Sequence, residues 1–179
     1  MASLARIASL IDDLNERAGR FFSWLTLFMV LVQFIVVLQR YVFGIGSIWA
    51  QESITYMHGT TFMAVAGYTL LHNAHVRVDV FYRAASSATK AWVDLLGTVF
   101  LMWPVCILIF YVSYPYIATS WASLESSRET SGIQGVYLLK SMIFVFVILL
   151  ALQGISTVIH ALRILAGSEE PAEEASPIL

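Results

Sequence analysis

The chain has 179 residues, 59% of them hydrophobic and 12% charged, with a formal net charge of −2. A soluble domain carries about 25% charged residues; that deficit, with apolar runs near or beyond eighteen residues, places the chain in a membrane. The ten Lys and Arg are spread thinly, with no basic cluster to hold nucleic-acid phosphates, and the single cysteine, Cys106, excludes an internal disulfide and reads as a small core residue.

Residues 3–20 predict an amphipathic helix. Leu4, Ile7, Leu10, Ile11, Leu14 and Ala18 recur at three- and four-residue steps, with Arg6, Asp12, Asp13, Asn15, Glu16 and Arg17 on the other side. Beside a membrane segment such a helix lies flat on the headgroup layer or docks on a partner; the alternative is a continuation of the first membrane helix. Acidic residues precede the first apolar run and no small-residue cleavage site follows a short one, so the start does not read as a cleaved leader.

The first crossing is expected at 21–43, followed by a turn at Gly44-Ile45-Gly46-Ser47. The second is expected at 50–71. Together with its flanks, the stretch from Glu52 to Asp79 reads as the element the other helices pack around, since charge delimits it at both ends. A third apolar run, 91–118, exceeds what an upright helix needs. It carries Pro104 and Pro115, which predict a tilt or kink. A polar connection holds Glu125, Arg128 and Glu129, and the fourth crossing is expected at 136–165. The remaining 166–179 carry Glu169, Glu170, Glu173 and Glu174 among prolines and read as a disordered acidic tail. Gly59, Thr60, Ala64, Ala66 and Gly67 on the second helix, and Gly154, Ser156, Thr157 and Ala161 on the fourth, are small residues that let membrane helices approach closely.

The fold expected is therefore all-α and membrane-integral: four transmembrane helices plus an amphipathic N-terminal helix. Arg6, Arg17 and Arg20, then Arg77, Arg83 and Lys90, outweigh Arg40, Arg128 and Lys140 on the opposite side. The positive-inside tendency places both termini and the 72–90 connection in the cytoplasm.

Four constellations are candidates for function. Glu52, at the start of the second helix, reads as an interfacial charge favoured by the exposed amides there, or as an ion-pair partner of Arg40 or of another subunit. His58 lies inside the same helix, and an ionisable residue at membrane depth is a functional candidate. A haem would need a second His at equal depth on a facing helix, and only His72 with His160 offers a match. His75, Arg77 and Asp79 form a polar cluster on one side of the chain whether helical or extended; it reads as a solvated loop or a partner contact. Around the outer connection, Trp121, Glu125, Ser127 and Lys140 have the spacing of an ordinary polar loop. No phosphate loop, nucleophile triad or metal-ligand spacing is present, and the extramembrane pieces are too short for a catalytic domain.

Taken in order, these residues resemble a known family. Trp49 with Glu52, a small-residue-rich helix, His75-Val76-Arg77-Val78-Asp79, Glu125 and Ser127 before Gly132-Ile133, Leu139-Lys140 and Gln153 together look like the small membrane subunit of the tripartite ATP-independent periplasmic (TRAP) transporters. The resemblance spans about residues 21–163; Gln134-Gly135 stands where members often carry a proline. It implies a scaffold subunit rather than an enzyme. Its partners are then a large membrane subunit that moves an organic acid, commonly a carboxylate, with sodium ions, and a periplasmic binding protein that delivers it. The sodium sites fall on the large subunit, with no cofactor in this chain, and the location is the bacterial inner membrane. Glu52, His75, Arg77, Asp79, Glu125 and Lys140 become candidates for interface or anchoring roles, with Arg40 and His58 behind them. The readings that compete are a four-helix haem or electron-transfer protein and an independent homo-oligomeric channel.

Overall fold

A computed structural model describes residues 2–76, 82 and 85–169. Among these residues the regular structure is entirely helical. Helix α1 runs unbroken over Ala2–Val42. Helix α2 spans Ile48–Ala64 and α3 Ala66–Leu71. Helix α4 spans Ser87–Gly97 and continues through a π-helical turn, Thr98–Met102, into α5, Trp103–Ala122. Helix α6 spans Val136–Leu165.

The turns end where local chemistry ends them. Gly44 closes α1 with φ +67°, a left-handed angle that glycine adopts without penalty. The Ile45 amide then reaches back to the Gln39 carbonyl at 2.9 Å. Ser47 caps α2 by accepting from the Ala50 amide at 3.3 Å, and Ser86 caps α4 in the same way through the Thr89 amide at 3.3 Å. That cap explains why the third pass begins at Ser87 and not at the first apolar residue, Ala91. The π turn has a cause in the sequence. Pro104 lacks the amide that would satisfy the Phe100 carbonyl. The ladder slips by one residue just before it, and the Trp103 amide bonds to the Thr98 carbonyl instead.

The chain runs the length of the bundle four times. His72 at the end of α3 meets Glu16 of α1 at 2.7 Å, and His160 near the end of α6 meets Asp12 of α1 at 3.1 Å. The start of α1 and the ends of α3 and α6 therefore share one end of the molecule. Glu52 at the start of α2 accepts from the Ile133 amide, ahead of α6, at 2.6 Å, which marks the opposite end. Three of the four passes, Ser3–Val42, Ser87–Ala122 and Val136–Leu165, are long and apolar enough to cross a membrane.

Several expectations change. Nothing breaks the backbone near residue 20: the amphipathic segment is the first half of α1, and at about 1.5 Å per residue the helix is about 60 Å long. The second pass is not one straight helix. It bends at Val65 (φ −89°, ψ −6°), where Thr69 Oγ1 donates to the Val65 carbonyl at 3.0 Å and His75 to the Ala66 carbonyl at 3.1 Å. Side chains that intrude on the helical ladder are a standard cause of such bends. The organising element is α6 and not the Glu52–Asp79 stretch, because among the described residues α1 to α5 and the π turn all pack on α6. Of the expected tail, 166–169 form a turn after α6, and 170–179 lie outside the described residues.

The interior is built from small and polar side chains. The largest fully buried ones are Asn15, Ser120 and Ser156. Ala64, Ala66, Gly67, Gly154, Ser156 and Ala161 are buried, as the small-residue pattern predicts. Phe21, Phe34, Phe62, Phe100 and Leu101 point outward, each at least 60% exposed. Large outside and small inside is how helices associate in lipid: tails solvate the large apolar groups, and close backbone approach supplies the dispersion energy.

Candidate functional site

Three of the predicted site residues, Glu52, Glu125 and Lys140, are held at the end of the bundle opposite the start of α1 and the end of α6. Glu52 sits in the first turn of α2. One carboxylate oxygen accepts the Ser127 hydroxyl, and the other accepts the Ile133 amide at 2.6 Å. Ser127 Oγ also accepts the Glu129 amide at 3.1 Å. The loop passes so close that a Cβ on Gly132 would collide with Ser127 and Glu52. One carboxylate thus organises the connection between α5 and α6 through two donors more than seventy residues away. Glu52 makes no ion pair with Arg40, which lies exposed in the last turn of α1.

Glu125 and Lys140 form the second half of this clasp. Their ion pair joins the loop to the first turns of α6, and the Lys140 ammonium lies 3.9 Å from the centre of the Tyr116 ring on α5. A cation over an aromatic face adds attraction. The Lys140 ammonium holds the Glu125 carboxyl below its usual range. Beside them, Trp121 donates to Ser141 Oγ at 2.8 Å and meets the Tyr137 ring edge-on at 4.7 Å. Glu52, Glu125 and Lys140 therefore belong to one structure that ties α2, α5 and α6 together.

The other candidates stand apart. His75 donates to the Ala66 carbonyl at the bend between α2 and α3. Arg77 and Asp79 lie outside the described residues. His58 is exposed on α2 with its ring stacked on Phe62 at 6.4 Å. His72 and His160, the pair weighed for haem, each meet carboxylates: Glu16 for His72, Asp12 and Glu169 for His160.

A second clasp, at the end that holds the start of α1 and the end of α6, escaped the sequence reading. Asp12 Oδ1 accepts from Gln153 Nε2 at 2.8 Å and from the Ser156 hydroxyl at 2.6 Å, while Oδ2 meets His160. Fully buried Asn15 donates to Gln153 Oε1 at 2.8 Å. Glu16 pairs with Arg20 and His72, and the Tyr68 ring packs on His72 at 4.4 Å. Gly19 lies against Tyr68 so closely that a Cβ would overlap the ring, and Gly67 lies likewise against Asn15. Asp12, Asn15 and Glu16 of the polar face are therefore turned inward onto α6 and α3, while Arg6, Asp13 and Arg17 stay exposed. Its apolar face points out, with Leu4, Ile7, Leu10 and Leu14 each at least 44% exposed. The signal was present as a matched pair of spacings. Asp12, Asn15 and Gly19 on α1 repeat the +3, +7 steps of Gln153, Ser156 and His160 on α6.

Between the clasps, the π turn sets α5 on α6. Trp103 donates its indole N–H to the Ala151 carbonyl at 3.3 Å, and Met102, Trp103 and Thr98 crowd the position where Gly154 has no side chain. An open, wholly apolar groove of about 420 Å³ runs beside this contact, lined by Trp103, Cys106, Phe110, Val147 and Ile155.

Residues 29–164 match the family model described as tripartite ATP-independent periplasmic transporters, DctQ component. No curated protein and no solved structure matches the chain.

Proposed function

We propose a scaffold role for this chain, which belongs to the DctQ component family of the tripartite ATP-independent periplasmic transporters. It is a membrane protein and a transporter component, not an enzyme. In our reading all four passes cross the bacterial inner membrane, with both termini in the cytoplasm. The chain supports a large membrane subunit, which moves an organic acid, commonly a carboxylate, with sodium ions bound to itself. A periplasmic binding protein delivers the cargo.

The observation that carries this reading is the double clasp around α6. A moving carrier domain needs a support that does not shear, and hydrogen-bonded clasps at both ends fix the relative positions of the helices at two depths. The polar groups in them are engaged with each other, so they serve the chain's own cohesion. The exposed large apolar side chains of α1 and α5 supply area for lipid and for the companion subunit.

The experiment is co-purification in mild detergent. A tagged copy of this chain should bring down a much larger membrane protein at fixed stoichiometry. Isolation as a homo-oligomer alone would favour a channel and contradict the reading. Replacing Arg77 and Asp79 together tests the anchoring role carried over from the family resemblance. Assembly or transport should weaken, and unchanged behaviour in reconstituted vesicles would make that cluster a solvated loop.

A further inference from the structure

His160 faces a carboxylate on both sides of its ring. Nδ1 lies 2.7 Å from Glu169 Oε1, and Nε2 lies 3.1 Å from Asp12 Oδ2. A neutral imidazole has one N–H and one lone pair, so one of the two carboxylates would then face a lone pair. Only the imidazolium donates to both. The link that the ring makes between α1 and the segment beyond α6 thus depends on a single proton.

The backbone builds this arrangement deliberately. Gly167, at φ +67°, turns the chain back on α6, with the Gly167 amide on the Ile164 carbonyl at 3.0 Å and the Ser168 amide on the Arg163 carbonyl at 2.9 Å. That reversal carries Glu169 back to His160, nine residues earlier, and to Arg163 Nη1 at 2.9 Å. The two carboxylates are unequally held. Asp12 keeps Gln153 and Ser156 on its other oxygen, so α1 stays docked without the imidazole. Glu169 has Arg163 besides His160.

Of the other charged groups on α1, Arg6, Asp13 and Arg17 are exposed, and Glu16 pairs with Arg20 and His72. His72, after α3, is on Glu16. On α4, Asp94 accepts from Tyr82, and the Lys90 ammonium lies 5.4 Å from the centre of the Tyr82 ring. We propose that His160, Asp12, Glu169 and Arg163 form a proton-dependent strap: the protonated ring links the segment after α6 to the first half of α1, and loss of the proton breaks that link and leaves Glu169 on Arg163 alone.

The test uses the full chain in lipid nanodiscs with nitrogen-labelled histidine. At neutral pH the ring resonances of His160 should show both nitrogens protonated; a neutral-imidazole pattern there overturns the proposal. A spin label placed through Ser168→Cys, with Cys106 buried, reads the strap itself. Its mobility should rise as pH is raised past the point where His160 loses its proton. Glu169→Gln should abolish that pH response, and His160→Gln should leave the label mobile at every pH. Equal label mobility in wild type and His160→Gln across the whole range would equally overturn it.

Discussion

At the scale of single residues, the structure turns on carboxylates whose partners lie far off in sequence. Glu52 accepts a hydroxyl and a backbone amide. Glu52→Gln keeps the shape and loses charge, while Glu52→Ala leaves both donors without a partner. The thermal midpoint of the purified assembly should fall in the order wild type, Gln, Ala. Gly132→Ala should act in the same direction as Glu52→Ala, because its Cβ would push Ser127 and Glu52 apart. Glu125 gives a pH prediction. Its carboxyl is held below the ordinary 4.5 by Lys140. Its contribution to stability is therefore complete above that value and is lost as pH falls through the lowered one. The gap in thermal midpoint between wild type and Glu125→Gln should stay constant near neutrality and close on acidification. Glu52, Glu125 and Lys140 were legible as members of an ordered family pattern. The link from Glu52 to Ser127 and Ile133 was not, because a backbone amide such as that of Ile133 leaves no mark on a sequence.

At the scale of elements, the inward polar face of α1 is the clearest lesson. Periodicity found an amphipathic helix at 3–20 and left open whether it lies on the headgroup layer, docks on a partner or continues the first membrane helix. Asp12 and Asn15 turn toward α6, and Leu4, Ile7, Leu10 and Leu14 turn away. The helix continues into the first pass, and Asp12 and Asn15 find their hydrogen-bond partners on α6. Proline positions were legible, but the π turn that Pro104 induces was not, since it depends on which carbonyl loses its donor. The close α1–α3 and α3–α6 approaches give a prediction. Gly19→Ala and Gly67→Ala place a methyl group into Tyr68 and Asn15, and such overpacking costs about 1–3 kcal/mol. Gly97→Ala meets nothing within 4 Å. By helix propensity it should be neutral or stabilising by up to about 1 kcal/mol. Denaturation of the three variants in one detergent checks the ordering.

At the scale of the whole molecule, composition pointed to the membrane, and the later apolar runs match helices to within a few residues, whereas α1 begins at Ala2 and not at 21. What the runs could not say is which helix is central. That depends on contacts between small residues on different segments, and α6 holds the hub through Gln153, Gly154, Ser156 and Ala161. The clasps place the start of α1 and the end of α6 together, so a reporter fused after Leu179 should share a compartment with one fused before Met1. In the orientation we propose from the Lys and Arg distribution, both reporters should be active in the cytoplasm.

The central claim, that this chain supports a carrier and is not one, is tested most directly by uptake into vesicles. Vesicles that hold this chain alone should accumulate no organic acid under an inward sodium gradient. Vesicles that also hold the large subunit, supplied with the binding protein, should accumulate it. Sodium-driven accumulation by the chain alone would contradict the account.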